Sequence, residues 1–240
     1  MELTTLSKSG NTSTPAYYSL GDCRVADFAT IVEQPVDLGD FPLADRIDQG
    51  VVVYDSRSLR SRISEAPGRL EVQAEFVRVL SEGPGVLVLS GAFGDDGVLD
   101  AATDVFRGII EAEKAAGTAA GDHFATPGAN DRVWNALEKF AVADPDAFLR
   151  YYANDMLALI CEAWLGPRYQ VTSQLNQVNP GGKAQSPHRD YHLGFQTMES
   201  AQAFPRHIHQ MSAMLTLQGA VAHVDMPMET GPTFLIPNSQ

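Results

Sequence analysis

The apolar residues of this 240-residue chain repeat with a helical period up to Leu165 and in alternation after Tyr169, and that change of period limits the fold more than any other feature. Leu70, Phe76, Val77 and Leu80 predict a helix over 69–81, closed by Gly83-Pro84. Val98, Leu99, Ala102, Val105, Phe106, Ile109 and Ile110 predict a long helix within 95–115, capped by Asp95 or Asp96. Val133, Trp134, Leu137 and Phe140 predict a short one over 131–140. A last helix, 145–165, opens at Asp144-Pro145 as N-cap and N1, carries the stripe from Phe148 to Trp164, and ends at Gly166. The unbroken apolar run 85–89 predicts a strand covered on both faces. From 169 onward, strands are predicted over 169–178, 211–218 and 233–236. Helices followed by strands imply an α+β domain, mainly β, with helices supporting a β architecture.

The pattern is weaker before residue 66, which reads as an N-terminal extension (1–65) ahead of the main domain (66–240, helical support to 166 and strands from 167). Residues 1–14 are polar, with little to offset the entropy of ordering. Val51–Tyr54, behind a turn at Gly50, is β-branched enough for a strand, and Arg57, Arg60 and Arg62 read as a solvated face. A 44% hydrophobic content supplies a large core. The net charge of −13, with no Lys/Arg run, argues against nucleic acid and anionic membrane surfaces as partners. No apolar run approaches the roughly 18 residues of a spanning helix, and the N-terminus lacks a secretory pattern. Cys23 and Cys161 make no disulfide framework, which fits a reducing, cytoplasmic setting. The sequence does not fix an oligomeric state.

Chemistry concentrates in Ser186-Pro187-His188-Arg189-Asp190. In extended backbone, positions i and i+2 share a face, so His188 and Asp190 reach one cation while Arg189 points away; Pro187 biases Ser186 toward that conformation. An imidazole and a carboxylate are two of the three ligands of a facial 2-His-1-carboxylate centre. The same spacing also suits a surface His beside a solvated Asp, or a Zn²⁺ site with water in its open position. His123, in a loop with three breakers, is a candidate pocket residue. Tyr191, His192 and Phe195 are candidates for the mouth of the site. His207 and His209 repeat the i, i+2 spacing but have no third donor close in sequence. The 169–178 segment carries amides on both faces, a pattern suited to a carboxylate or carbonyl ligand or to hydrogen bonds within the sheet.

The succession of this polar strand, the turn Asn179-Pro180-Gly181-Gly182, His188-x-Asp190, an apolar strand and Gly231-Pro232…Ile236-Pro237-x-Ser239 resembles the phytanoyl-CoA dioxygenase family over about residues 80–240. The resemblance implies a double-stranded β-helix (jelly roll) in which His188 and Asp190 hold Fe(II). It implies 2-oxoglutarate and O₂ as cosubstrates, hydroxylation of a small organic substrate, and release of succinate and CO₂. Gln177 falls near where related enzymes keep an amide contacting 2-oxoglutarate. A carboxylate at 190, where related halogenases carry a small residue, favours hydroxylation. In the family the second histidine ligand and the arginine for the far carboxylate of 2-oxoglutarate lie beyond the Ile-Pro-x-Ser strand. The expectation is therefore that these 240 residues are the front of a longer protein, with the barrel truncated before its last strands and inactive alone. Should a third ligand come from within the chain, His223 ranks first and His209 second. A jelly roll that binds or regulates without catalysis is the other functional class that fits.

Overall fold

Gln49 and Gly50 both take positive φ, 48° and 81°, and a two-residue turn of that handedness matches the twist of the strands it joins. It closes the hairpin of β1 (Arg46–Asp48) and β2 (Val51–Asp55), with Asp48 opposite Val51. A computed structural model describes residues 15–94, 97–119, 128–181, 185–190, 193–194 and 196–240. The expected helix cap at Asp95 or Asp96 lies outside these residues, as do 1–14. Upstream of the hairpin is α1 (Val25–Val32), which buries none of its residues.

Asp55 ends β2 and its carboxylate accepts the Arg57 N–H at 3.1 Å, starting α2 (Ser56–Ile63). α3 (Ala66–Ser81) returns the chain to β3 (Leu87–Ser90), which pairs in parallel with β2, Val52 opposite Leu87. β1-β2-β3 therefore joins residues 46–55 to the same core as 66–90. β3 has one exposed face rather than two covered ones, with Val88 44% exposed, because helices cover this edge strand on a single side. The buried face of α3 is Val72, Glu75, Phe76 and Val79; Leu70, expected inside, is exposed.

α4 (Val98–Ala116) begins after Gly97 at φ 72° and runs to Gly117 at φ 68°. Where the apolar spacing predicts one helix over 131–140, the chain forms β4 (Asn130–Val133), turns at Asn135 with φ 52°, and continues as α5 (Ala136–Ala143). Asp144-Pro145 starts α6 (Pro145–Tyr152) as expected, the Asp144 carboxylate accepting the Ala147 N–H at 2.9 Å. The predicted 145–165 helix is then cut in two. Asn154 is extended and caps α7 (Asp155–Leu165): its Oδ1 accepts the Met156 and Leu157 N–H groups at 3.0 Å each, and its Nδ2 donates to the Ala92 carbonyl at 2.8 Å. The stripe hides the break because apolar positions resume in register beyond it. Asn154→Ala removes both the cap and the tie to Ala92, and should lower stability by about 1–2 kcal/mol in chemical denaturation.

Only the end of the predicted 169–178 strand forms, as β5 (Leu175–Val178), antiparallel to β4 with Gln177 opposite Asp131. Two clusters fill the interior of this larger unit, which comprises 26–187 and 217–240. One joins Val52, Tyr54, Phe76 and Val79 to Met156 and Leu159; the other joins Ala102, Phe106, Val133, Phe140 and Tyr151. Residues 233–236 are not a strand. Phe234, Leu235 and Ile236 are exposed, while Asn238 beyond them donates its N–H to the Pro84 carbonyl at 2.8 Å.

The smaller unit takes its described residues from 15–25 and 188–216. Its helices are α8 (Met198–Ala201) and α9 (Arg206–Met214). α9 overturns the strand expected over 211–218. Met211-Ser-Ala-Met alternates on paper, but Met and Ala favour helix, and only Ser212 of this stretch is buried on the helix. Arg206 anchors the N-terminal segment: its N–H donates to the Ala16 carbonyl at 2.8 Å, and its guanidinium lies 4.1 Å over the Tyr18 ring and 3.4 Å from Asp22. The fold class of the described residues is mixed α+β with two small sheets, and helix rather than strand predominates. Among them no helix is long and apolar enough to cross a membrane.

Candidate metal centre

Residues 185–190 form no regular element; the chain bends at Pro187, just before the pair that the spacing singled out, and again at Asp190. His188 Nε2 lies 3.2 Å from Asp190 Oδ1, so the two side chains converge. For donors about 2.1 Å from a metal and about 90° apart, the donor–donor distance is about 3.0 Å, so this separation fits two adjacent positions of one coordination sphere. It equally fits a direct contact between imidazole and carboxylate. Both side chains are partly open, 26% and 35% exposed, so a cation from solvent can reach them. Among the described residues no group of three His, Cys, Asp or Glu side chains surrounds a common point.

His223, ranked first as an internal third ligand, has both ring nitrogens engaged. Thr103 Oγ1 gives its one proton to the Leu99 carbonyl at 2.8 Å, so it accepts from His223 Nδ1–H at 2.9 Å. Nε2 is then the acceptor for the Tyr151 hydroxyl, 3.0 Å away. Phe106 packs edge-on against the ring. Burial lowers the His223 pKa and raises that of Tyr151, so both stay neutral and the bond persists. The native state excludes the proton that the unfolded ring binds at about pH 6.5. Stability is thus full above that pH, declines as pH falls below it, and stops declining beneath the lower native pKa. Thermal melts over roughly pH 7.5 to 5 should show this slope, and His223→Gln should flatten it. An unchanged slope in the variant would rule out the ring as its source.

His209, second in rank, hydrogen-bonds the Ala201 carbonyl through Nε2 at 3.0 Å. His207 and His209 lie on α9, where an i, i+2 pair is turned about 200° apart and cannot share a cation. His123, Tyr191, His192 and Phe195 lie outside the described residues.

Gln177 sits on β5 in the larger unit, exposed, its Nε2 donating to Asn179 Oδ1 at 3.4 Å. Asn179 donates to Asp131 Oδ2 at 3.2 Å, and Lys114 Nζ meets the same oxygen at 2.7 Å. One residue along the ladder, Arg132 pairs with Asn176, bonds the Gln174 side chain, and lies 4.3 Å over the Trp134 ring. A helical reading of 131–140 concealed Arg132, whose place on a strand comes from the pairing of β4 with β5.

A family model described as Phytanoyl-CoA dioxygenase (PhyH) matches residues 81–240. The chain belongs to the phytanoyl-CoA dioxygenase family, whose members are in general Fe(II)- and 2-oxoglutarate-dependent oxygenases. Neither the curated proteins nor the solved structures contain a match to it.

Proposed function

We propose that the protein is an Fe(II)- and 2-oxoglutarate-dependent dioxygenase that hydroxylates a small organic substrate with O₂, with succinate and CO₂ as the other products. The observation that carries this reading is the 3.2 Å approach of His188 Nε2 to Asp190 Oδ1 inside the stretch matched to the family. His188 offers an imidazole nitrogen and Asp190 a carboxylate, the donor types of a facial 2-His-1-carboxylate centre. Fe(II), when bound with 2-oxoglutarate, supplies the oxidising chemistry, and the protein's part is to orient the reactants and limit access of water. With Fe(II) bound, Asp190 would take a position that a halide would need, which favours hydroxylation. Gln177 is proposed as an amide contact for 2-oxoglutarate. The domain assigned to this activity is 66–240, a jelly roll of the family's kind with helical support from 66–166; of the extension 1–65, residues 46–59 share the core of 66–90. A cytoplasmic setting accords with the two free cysteines.

With the family's full ligand set present, incubation with Fe(II), 2-oxoglutarate and O₂ should yield succinate, and replacement of Fe(II) by Zn²⁺ should stop it. Succinate formation unaffected by His188→Ala would contradict the assignment, and a Zn²⁺-supported hydrolysis would replace it.

A further inference from the structure

The smaller unit has almost no interior: of its described residues in 15–25 and 188–216, Leu193 and Ser212 alone are buried. α8 spans four residues and α9 nine, and helices under about 12 residues are marginal in water on their own. The order of this unit, which carries His188 and Asp190, therefore depends on contacts between its separate pieces.

Those contacts converge on Arg206. It is the first residue of α9, where the positive end of the helix dipole disfavours a cation, so the helix alone gives no reason for an arginine there. Its reason lies in residues 16–22. The Arg206 N–H donates to the Ala16 carbonyl at 2.8 Å, Nε donates to the Tyr17 carbonyl at 3.5 Å, Nη2 lies 3.4 Å from Asp22 Oδ2, and the guanidinium covers the Tyr18 ring at 4.1 Å. Asp22 is held ready for this contact, because Ser19 donates to the same oxygen through its N–H at 2.8 Å and its hydroxyl at 3.2 Å. Next to Arg206, Pro205 pairs with Tyr17 in an isolated antiparallel bridge. The Tyr18 ring meets that of His209 edge-on at 5.5 Å, and His209 Nε2 donates to the Ala201 carbonyl at the end of α8. Residues 16–22 thus reach α9 directly and α8 through His209.

Leu193, the buried apolar residue among those described, follows Asp190 closely in the chain, so the packing of the unit and the placement of the pair are linked. We propose that residues 16–22 form a strap, fastened by Arg206, that keeps the smaller unit in the form in which His188 and Asp190 bind Fe(II). Arg206 is then a positioning residue, and the inference rests on the assignment of that pair as the metal site. Where loosening leaves only a fraction of molecules competent, the apparent affinity for the metal falls by that fraction. By linkage, bound Fe(II) tightens the strap in return.

Anaerobic Fe(II) titration of the whole protein, together with amide hydrogen exchange at residues 16–23, tests this. Arg206→Gln should weaken Fe(II) binding about tenfold, as a competent fraction of about one tenth requires. Asp22→Asn should weaken it less, since the guanidinium keeps the Tyr18 ring and the Tyr17 carbonyl. In the wild type Fe(II) should slow exchange at 16–23, a response that a brace without a link to the pair does not give. Wild-type affinity in Arg206→Gln while His188→Ala still abolishes binding, or exchange at 16–23 indifferent to Fe(II), would overturn the strap and leave the metal assignment standing. Fe(II) binding indifferent to His188→Ala would remove that assignment and the strap's role with it. Should Arg206→Gln fail to fold, Asp22→Asn, at an exposed position, decides in its place: unchanged affinity in that variant overturns the proposal.

Discussion

Asp190→Ala should weaken Fe(II) binding by on the order of 100-fold or more, because losing even an outer-shell partner of a metal ligand costs about 10- to 100-fold. The substitution removes the carboxylate that meets His188 Nε2 at 3.2 Å and leaves the imidazole as the only described donor at that point. Asp190→Asn, isosteric but neutral, keeps an oxygen donor and should fall between wild type and alanine. His223→Ala should leave Fe(II) affinity unchanged, since both of its nitrogens serve Thr103 and Tyr151. Anaerobic Fe(II) titration of the four proteins separates these outcomes. A loss with His223→Ala equal to that with Asp190→Ala would place the metal elsewhere.

The second large effect is on stability. Glu75 is 1% exposed on the inner face of α3, yet its carboxylate is satisfied. Oε1 accepts from the Tyr54 hydroxyl at 2.9 Å and from the Leu43 N–H at 3.1 Å; Leu43 N–H also lies 3.3 Å from Oε2, and Arg78 reaches that oxygen from the surface at 3.3 Å. Burial and the adjacent carboxylate push the Tyr54 pKa up, which keeps its hydroxyl a donor. Glu75→Ala strands the Tyr54 hydroxyl and the Leu43 N–H in the core and opens a cavity among Val72, Phe76 and Val79. The expected cost is about 3–5 kcal/mol by urea denaturation. Tyr54→Phe removes one donor and leaves Glu75 its other partners, for about 1–2 kcal/mol. A cost under about 1 kcal/mol for Glu75→Ala would mean that the carboxylate is solvated in solution.

Glu75 also shows where sequence reading stops. Counted as a surface residue, it shifts the apparent apolar face of α3 toward Leu70 and Val77, whereas the helix buries Val72, Glu75, Phe76 and Val79. Features written in adjacent residues were legible: the Gly50 turn with the strand after it, Asp144-Pro145, the α4 stripe, and the His188–Asp190 pair. Features made by distant partners were not. His223 owes its environment to Thr103 and Tyr151, 120 and 72 positions away, and no local pattern encodes that. β4 was hidden because Val133 and Trp134 continue the spacing of α5, and its strand character comes from pairing with β5. Over 211–214, alternation competed with helix propensity, and with no partner strand among the described residues of the smaller unit propensity prevailed.

The measurement that bears most directly on the assignment of His188 and Asp190 is the anaerobic addition of 2-oxoglutarate to the Fe(II)-loaded protein, followed by visible absorption. A charge-transfer band that appears with wild type and is absent from both His188→Ala and Asp190→Ala is the expected result. A band of equal strength in either variant, or a wild-type protein whose spectrum is indifferent to 2-oxoglutarate, would contradict it.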